Sequence, residues 1–306
     1  TVEWAYGNLM DSRDINNHDM SLGRKEKYTC EQFVKILASR TAPYNDPLWF
    51  DYSWKGERAY KTGIYSDRKA QWVAWHQHYA TYYKESVLLC DWAFSNLFNE
   101  NSPDGKGYTT EAEPRFLKAV TGRDHSFVDG MEIGRRIWNL KRAIFVMQGR
   151  HRNQEKFAGY YYRPGASYCG YAPELPIFDG SKWEWVNCRE LFFEDKGVEQ
   201  WKTAFFKVEG WDPASGYPTR RTLEELGMDT APLEEMGIET LDLETLATAL
   251  GMSDESAAQL SASAEDTLGD LRDGADGLLK VVNLNTLGAE IDRLLGQYGL
   301  QLRQGD

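Results

Sequence analysis

The chain has 306 residues, a formal net charge of −12 and four cysteines. That length accommodates one large domain or two ordinary ones around a real core, and the lack of a basic excess argues against nucleic-acid binding. Without a run of about 18 apolar residues there is no candidate membrane span. The stretch "TVEWAYGNLM" has no basic region followed by an apolar one, so no signal peptide is expected. Cys30, Cys90, Cys169 and Cys188 lie far apart and fit no compact disulfide framework, which points to a reducing, cytoplasmic setting.

The charge is unevenly placed. Residues 229–306 hold 16 acidic and 4 basic side chains, whereas residues 1–228 hold 31 of each, and every aromatic except Tyr298 precedes residue 229. Two domains are therefore expected: 1–228, and an acidic tail, 229–306, rich in Leu, Ala and Gly.

In chain order, residues 1–28 are polar and read as irregular, with "DSRDINNHD" as a loop. Thr29-x-x-Gln32 is a capping box opening a helix whose Phe33, Ile36 and Leu37 share a face. After the turn-rich "RTAPYNDPLWF", a long helical pattern starts near Asp67, with Trp72, Trp75, Tyr79 and Tyr82 leading into Glu85–Cys90. Thr110-x-x-Glu113 caps a short helix ending at Gly122. Residues 127–148 form the best helix of the chain, with Ile133, Ile137, Leu140 and Ile144 as its apolar stripe. "LPIFDGSKWEWV" reads as a hairpin with Asp179-Gly180 at the turn and Trp183 and Trp185 on one face. A further helix carries Val198, Trp201, Phe205 and Val208, and Thr219 caps a last short helix stopped by Gly227. The fold class is thus mainly α with a small β-hairpin. The tail carries helical patches at Leu243, Leu246, Leu250 and at Ile291, Leu294, Leu295, Tyr298, and reads as helical or partly disordered.

Few chemical motifs stand out. There is no P-loop, GxGxxG or GxSxG. His76 and His78, two apart on a helix, point about 200° apart and cannot chelate one ion. Cys90 reads either as a small buried hydrophobe or as one thiolate ligand of an iron–sulfur cluster, which normally takes four. His18 is either a polar loop residue or a proton donor and acceptor near a buried centre. Arg150, His151 and Arg152 either favour a helix C-terminus or pair with phosphate or carboxylate groups.

Two long stretches, "TGRDHSFVDGMEIGRRIWNLKRAIFVMQGRHRN" and "EGWDPASGYPTRRTLEELGM", resemble the C-terminal half of the tungsten-dependent aldehyde:ferredoxin oxidoreductase family. Within it, "IWNLKRAIFVMQGRHRN" and "FKVEGWDP" resemble the tungsten subunits of class II benzoyl-CoA reductases. The resemblance covers most of 1–228 and none of the tail, and it implies that family's helical C-terminal domains. Its second pterin motif, D-x-x-G-L-C, is matched by Glu85-Ser86-Val87-Leu88-Leu89-Cys90. The match implies that Cys90 ligates a [4Fe–4S] cluster and that Glu85 and Leu89 contact a tungsten bis-pterin. Glu replaces Asp, one methylene longer, and Leu88 adds bulk where the family has glycine.

"SRDINNHD" resembles the segment after the family's first pterin motif, which makes His18 an active-site histidine by resemblance. The other three cluster cysteines come, in the family, from a CxxCxxxC motif that this sequence does not contain. The resemblance therefore implies a portion of an anaerobic oxidoreductase. Its partners would be an electron-transfer iron–sulfur subunit or ferredoxin, and a separate N-terminal half. Its substrate would be an aromatic acyl-CoA or an aldehyde. The reading of a different class is a catalytically inert helical module.

Overall fold

The structure is a computed structural model in which residues 2–11, 28–40, 46–86, 112–163 and 174–230 are described. All of them fall in one unit, Thr1–Asp242. His18, Leu89, Cys90, Cys169, the Thr110 cap and the tail from residue 231 lie outside the described residues.

The described helices are α1 (Val2–Met10), α2 (Cys30–Arg40), α3 (Gly56–Lys61), α4 (Asp67–Tyr79), α5 (Ala112–Thr121), α6 (Phe127–Met147), α7 (Asp195–Glu209) and α8 (Arg220–Glu225). Strands β1 (Glu174–Phe178) and β2 (Trp183–Asn187) form a two-stranded antiparallel sheet. The mainly helical class with a small hairpin is what the sequence indicates.

Local chemistry explains most of these boundaries. At the start of α2 the Thr29 amide donates to Gln32 Oε1 (3.0 Å) and the Gln32 amide to Thr29 Oγ1 (3.3 Å), the expected reciprocal cap. Ser66 caps α4 and Thr219 caps α8. Ser126 and Asp129 make a full capping box on α6. Helix α7 ends on Gly210 in the left-handed region (φ 74°). The hairpin turn is longer than a two-residue Asp-Gly loop. Asp179 Oδ1 accepts from the amides of Ser181 and Lys182, and the strands meet at Phe178 and Trp183. The outer edge of β1 is occupied as well: Pro176 O accepts from the Tyr52 amide (3.0 Å), and the Phe178 amide donates to Asp51 Oδ1 (3.1 Å).

Helix α4 is the centre of the core and packs against α1, α6 and α7. Trp72, Trp75 and Tyr79 stack in sequence, 5.1 and 5.3 Å between centroids and each pair at 9°. This is the i,i+3/i+4 ladder expected of a buried aromatic helix face. Glu3 and Lys69 are also buried here. Glu3 accepts from the Tyr52 hydroxyl (2.6 Å), and Lys69 donates to Trp49 O (2.7 Å) with its ammonium 3.8 Å from the Tyr52 ring.

Three sequence expectations are corrected. Residues 2–10, expected to be irregular, form α1. Val2, Tyr6 and Leu9 recur at helical spacing and are buried, and Tyr6 stacks on Trp201 at 3.7 Å and 9°. On α6 only the first half of the apolar stripe packs against the core. Ile133 and Ile137 are half-buried and Leu140 and Ile144 exposed, while Phe127, Gly130, Gly134, Trp138, Asn139 and Arg142 are buried. The glycines decide this orientation: a Cβ on Gly130 would run into the Tyr83 phenol, and one on Gly134 into the His78 carbonyl oxygen. Close helix approach selects small residues over apolar ones at these two positions. On α7, Val208 is exposed and Phe206 takes the buried position.

Candidate functional site

The α4 pattern expected to run on to Tyr82 changes pitch first. After Tyr79 the chain continues as a π-helical segment, Ala80–Ser86. Wider turns of this kind shift every following side chain around the axis and are frequent at functional positions. Lys84 turns inward with no side-chain exposure, 3.3 Å from Glu113 Oε1, which also accepts from the Tyr79 hydroxyl. Glu85, the next residue, instead faces α6.

There Glu85 Oε2 lies 3.2 Å from Lys141 Nζ, and the same ammonium lies 3.0 Å from Asp11 Oδ2 at the end of α1. Asp11 is 1 % exposed in its side chain, Glu85 18 % and Lys141 23 %. The ammonium also sits 5.4 Å from the ring centre of buried Trp138. Arg150, just past α6, secures the same end of α1: it donates to Leu9 O (2.7 Å) and Asp11 O (3.0 Å). Residue 11 precedes the segment holding His18, and residues 85 and 86 precede Leu89 and Cys90. Thus the two stretches singled out from sequence join the described structure at one point, although 74 positions separate Asp11 from Glu85 in the chain.

The cation cluster at 150–152 is bound within the protein. Arg150 reaches Glu155 at 3.2 Å, and Glu155 also pairs with buried Arg142. Arg152 holds Glu199 (2.8 Å), Thr203 Oγ1 (2.9 Å) and Pro213 O (2.7 Å). His151 Nδ1 caps the turn that follows by accepting from the Asn153 amide (3.2 Å). Arg150 and Arg152 are thus engaged with carboxylates and carbonyls of this chain.

As expected, the α4 histidines do not converge. His78 Nε2 lies 2.9 Å from buried Glu209, whereas His76 lies among the rings of Trp72, Trp75 and Tyr79.

Whether these side chains fit the implied cofactors follows from their chemistry. Glu85 is partly exposed, and one of its carboxylate oxygens is held by the Lys141 ammonium. Its Oε1 has no partner among the described residues. It therefore fits as an acceptor for ring N–H groups of a pterin. The described residues do not by themselves make a cluster site. Cys30 and Cys188 are buried, and burial pushes the Cys30 thiol up to about 12, away from the thiolate a metal needs. Among the described residues no three His, Cys, Asp or Glu side chains are grouped to hold a metal ion. None of their helices is long and apolar enough to cross a membrane.

The "IWNLKR" text acquires specific meaning here. Trp138 is core, Asn139 Oδ1 accepts from Trp211 Nε1 (2.8 Å), Lys141 bridges Asp11 and Glu85, and Arg142 joins Glu155 and Gly216 O (2.8 Å). Asp11, Lys141 and Arg150 had not been singled out for this role. The signal available for Lys141 was its place inside that stretch.

Helices wrapped on an aromatic core, with a polar joint where α1, α6 and the π-helical segment meet, define a mainly α scaffold. The family model for aldehyde ferredoxin oxidoreductase, domains 2 and 3, matches residues 31–228, and the chain belongs to that family. Among solved structures it is similar to a chain of the active-site complex BamBC of benzoyl coenzyme A reductase, in complex with 1,5-dienoyl-CoA. The identity is 14% and the TM-score 0.37, over 70% of this chain and 33% of that one. This chain thus spans about one third of that chain's length.

Proposed function

We propose that this chain forms the helical part of a tungstopterin iron–sulfur oxidoreductase, with its site at the joint of α1, α6 and the π-helical segment. The supporting observation is that Asp11 and Glu85, next to the His18 and Cys90 segments, meet on one lysine. Membership of the aldehyde ferredoxin oxidoreductase family supplies the chemical class.

In this reading a bound tungsten bis-pterin supplies two-electron exchange with substrate, and a [4Fe–4S] cluster carries electrons onward. Cys90 contributes one thiolate to the cluster, and polypeptide outside these 306 residues contributes the rest. Glu85 accepts pterin N–H groups and is held in place by Lys141. Leu89 packs on the pterin and keeps water from it. His18 holds or releases the substrate proton at its imidazole nitrogen. The substrate is an aromatic acyl-CoA reduced at its ring, or an aldehyde oxidised to its acid. An iron–sulfur subunit or ferredoxin exchanges the electrons in the cytoplasm.

The test is metal content. The full chain is purified anaerobically from tungstate-supplied cells that co-express a CxxCxxxC-bearing N-terminal half of the family. The expected result is about four irons and one tungsten per complex, with iron lost in Cys90→Ser. Unchanged iron in Cys90→Ser removes the ligand assignment. A complex that assembles without any metal favours the inert helical module instead.

A further inference from the structure

We propose that the buried ring ladder of α4 is a one-electron relay: an oxidising equivalent placed on Trp72 or Trp75 passes to Tyr79 and rests there as a neutral tyrosyl radical. The relay does not depend on the tungstopterin reading.

Trp72, Trp75 and Tyr79 are shut off from water, at 0, 4 and 1 % exposure. Successive ring centres lie 5.1 and 5.3 Å apart with planes 9° from parallel, and Trp49 approaches Trp72 at 5.4 Å. An electron crosses such gaps because neighbouring π-clouds overlap, whereas a proton moves only along a hydrogen bond. The hole therefore comes to rest on a ring that can release its proton.

Trp72 Nε1 is buried without a hydrogen-bond acceptor, so an oxidised Trp72 remains a cation in an apolar place and pulls an electron from Trp75. Tyr79 donates its phenolic hydrogen to Glu113 Oε1, and Lys84 Nζ lies 3.3 Å from the same oxygen, both side chains fully buried. The step balances as follows. An external one-electron oxidant takes the first electron from an indole, Tyr79 returns one electron to Trp75, and the Tyr79 proton passes to the Glu113 carboxylate. The indoles are restored, Tyr79 is a neutral radical, Glu113 is an acid, and the positive charge that entered is left on the Lys84 ammonium.

Two other tyrosines mark what Tyr79 combines. Tyr6 lies closer to an indole, 3.7 Å and 9° from Trp201, yet the Tyr6 hydroxyl and Trp201 Nε1 are both buried without a hydrogen-bond partner. A hole on Tyr6 has no route out for its proton. Tyr52 has a carboxylate acceptor, Glu3, but the Lys69 ammonium stands 3.8 Å from its ring in place of an indole. Indole stacking and a proton acceptor coincide at Tyr79.

Laser photoionisation of the full chain tests the relay. Ultraviolet pulses eject electrons from indoles, a cobalt(III) ammine complex captures them, and time-resolved absorption follows indolyl radicals as they convert to tyrosyl radicals. In Tyr79→Phe the tyrosyl yield should fall severalfold while indolyl radicals persist, and Tyr6→Phe should match the parent. Glu113→Gln, whose amide takes up no proton, should slow the conversion severalfold. Heavy water should slow it in the parent, because proton and electron leave Tyr79 together. Phenylalanine keeps the ring stack, so Tyr79→Phe decides the matter even if Glu113→Gln fails to fold. An unchanged tyrosyl yield in Tyr79→Phe overturns the relay, and so does an equal loss in Tyr6→Phe. A parent conversion indifferent to heavy water overturns the role of Glu113. Metal content plays no part in this readout, so loss of the cluster assignment and loss of the relay are separate results.

Discussion

Around α4, Trp49, Phe50, Trp72, Trp75 and Tyr79 pack ring on ring, whereas beside α6 Asp11, Lys141 and Glu85, and Arg142, Glu155 and Arg150, link charge to charge. The aromatic block is held by burial, which is non-directional and adds up with area. The ionic seam has to recover a desolvation cost first, and does so only when each charge keeps its partner. Stability is therefore concentrated in the block and accurate placement in the seam.

Paired substitutions separate the two regions most directly. Trp72→Ala should cost roughly 3–5 kcal/mol by opening a cavity, and Arg142→Met a similar amount by leaving Glu155 short of a buried partner. The two regions should then part company. Arg142→Met with Glu155→Met should return most of the loss, whereas no polar partner exists whose removal rescues Trp72→Ala. Urea denaturation of the three variants reads this, and a double variant no more stable than Arg142→Met would show that the seam is not governed by charge pairing.

A smaller effect tests how the two regions are joined. Gly134 lies against the His78 carbonyl oxygen, so Gly134→Ala should push α6 from α4 and cost about 1–3 kcal/mol, although alanine is the better helix former. A rise in melting temperature would show that the helices do not approach as described.

The smallest effect concerns Lys69, an ammonium inside the aromatic block. Burial pulls Lys69 down to about 8 from an ordinary 10.5. Between those values the unfolded chain binds more protons than the folded one, so stability from this group rises with pH. Below about 8 the cost of burying the charge is fully present, and above 10.5 it is gone. Tyr52, held well above the usual phenol range by burial, acts in the opposite direction at higher pH. The clean measurement is therefore the stability difference between the parent and Lys69→Met from pH 8 to 10, expected to move in the parent's favour. A flat difference contradicts it.

Much of the scaffold was legible because its signals are local. The Thr29–Gln32 box, the Thr219 cap, the Asp179 turn and the aromatic ladder of α4 each rest on residues a few positions apart. The α6 orientation was not, because an apolar stripe is only half of what places a helix. Gly130 and Gly134 win the buried face through close approach, and Arg142 is buried only because Glu155 comes to meet it. Helix α1 was hidden by its polar neighbours, since Tyr6 gains its helical role from Trp201, far along the chain. Glu85 could be named through the family pattern, but its partner could not: Lys141 lies 56 residues from Glu85 and 130 from Asp11. No spacing rule spans such distances.

The outer edge of β1 has a consequence for life in a crowded solution. A two-stranded sheet ordinarily offers open hydrogen-bonding rims to any passing extended chain, and such rims seed aggregation. On this rim Pro176 has no amide to offer, its carbonyl is taken by Tyr52, and the Phe178 amide is taken by Asp51. At Pro176 and Phe178 a wandering strand finds these groups already engaged. Asp51→Ala would uncover that rim, and a chain that folds normally would then be exposed to self-association along β1.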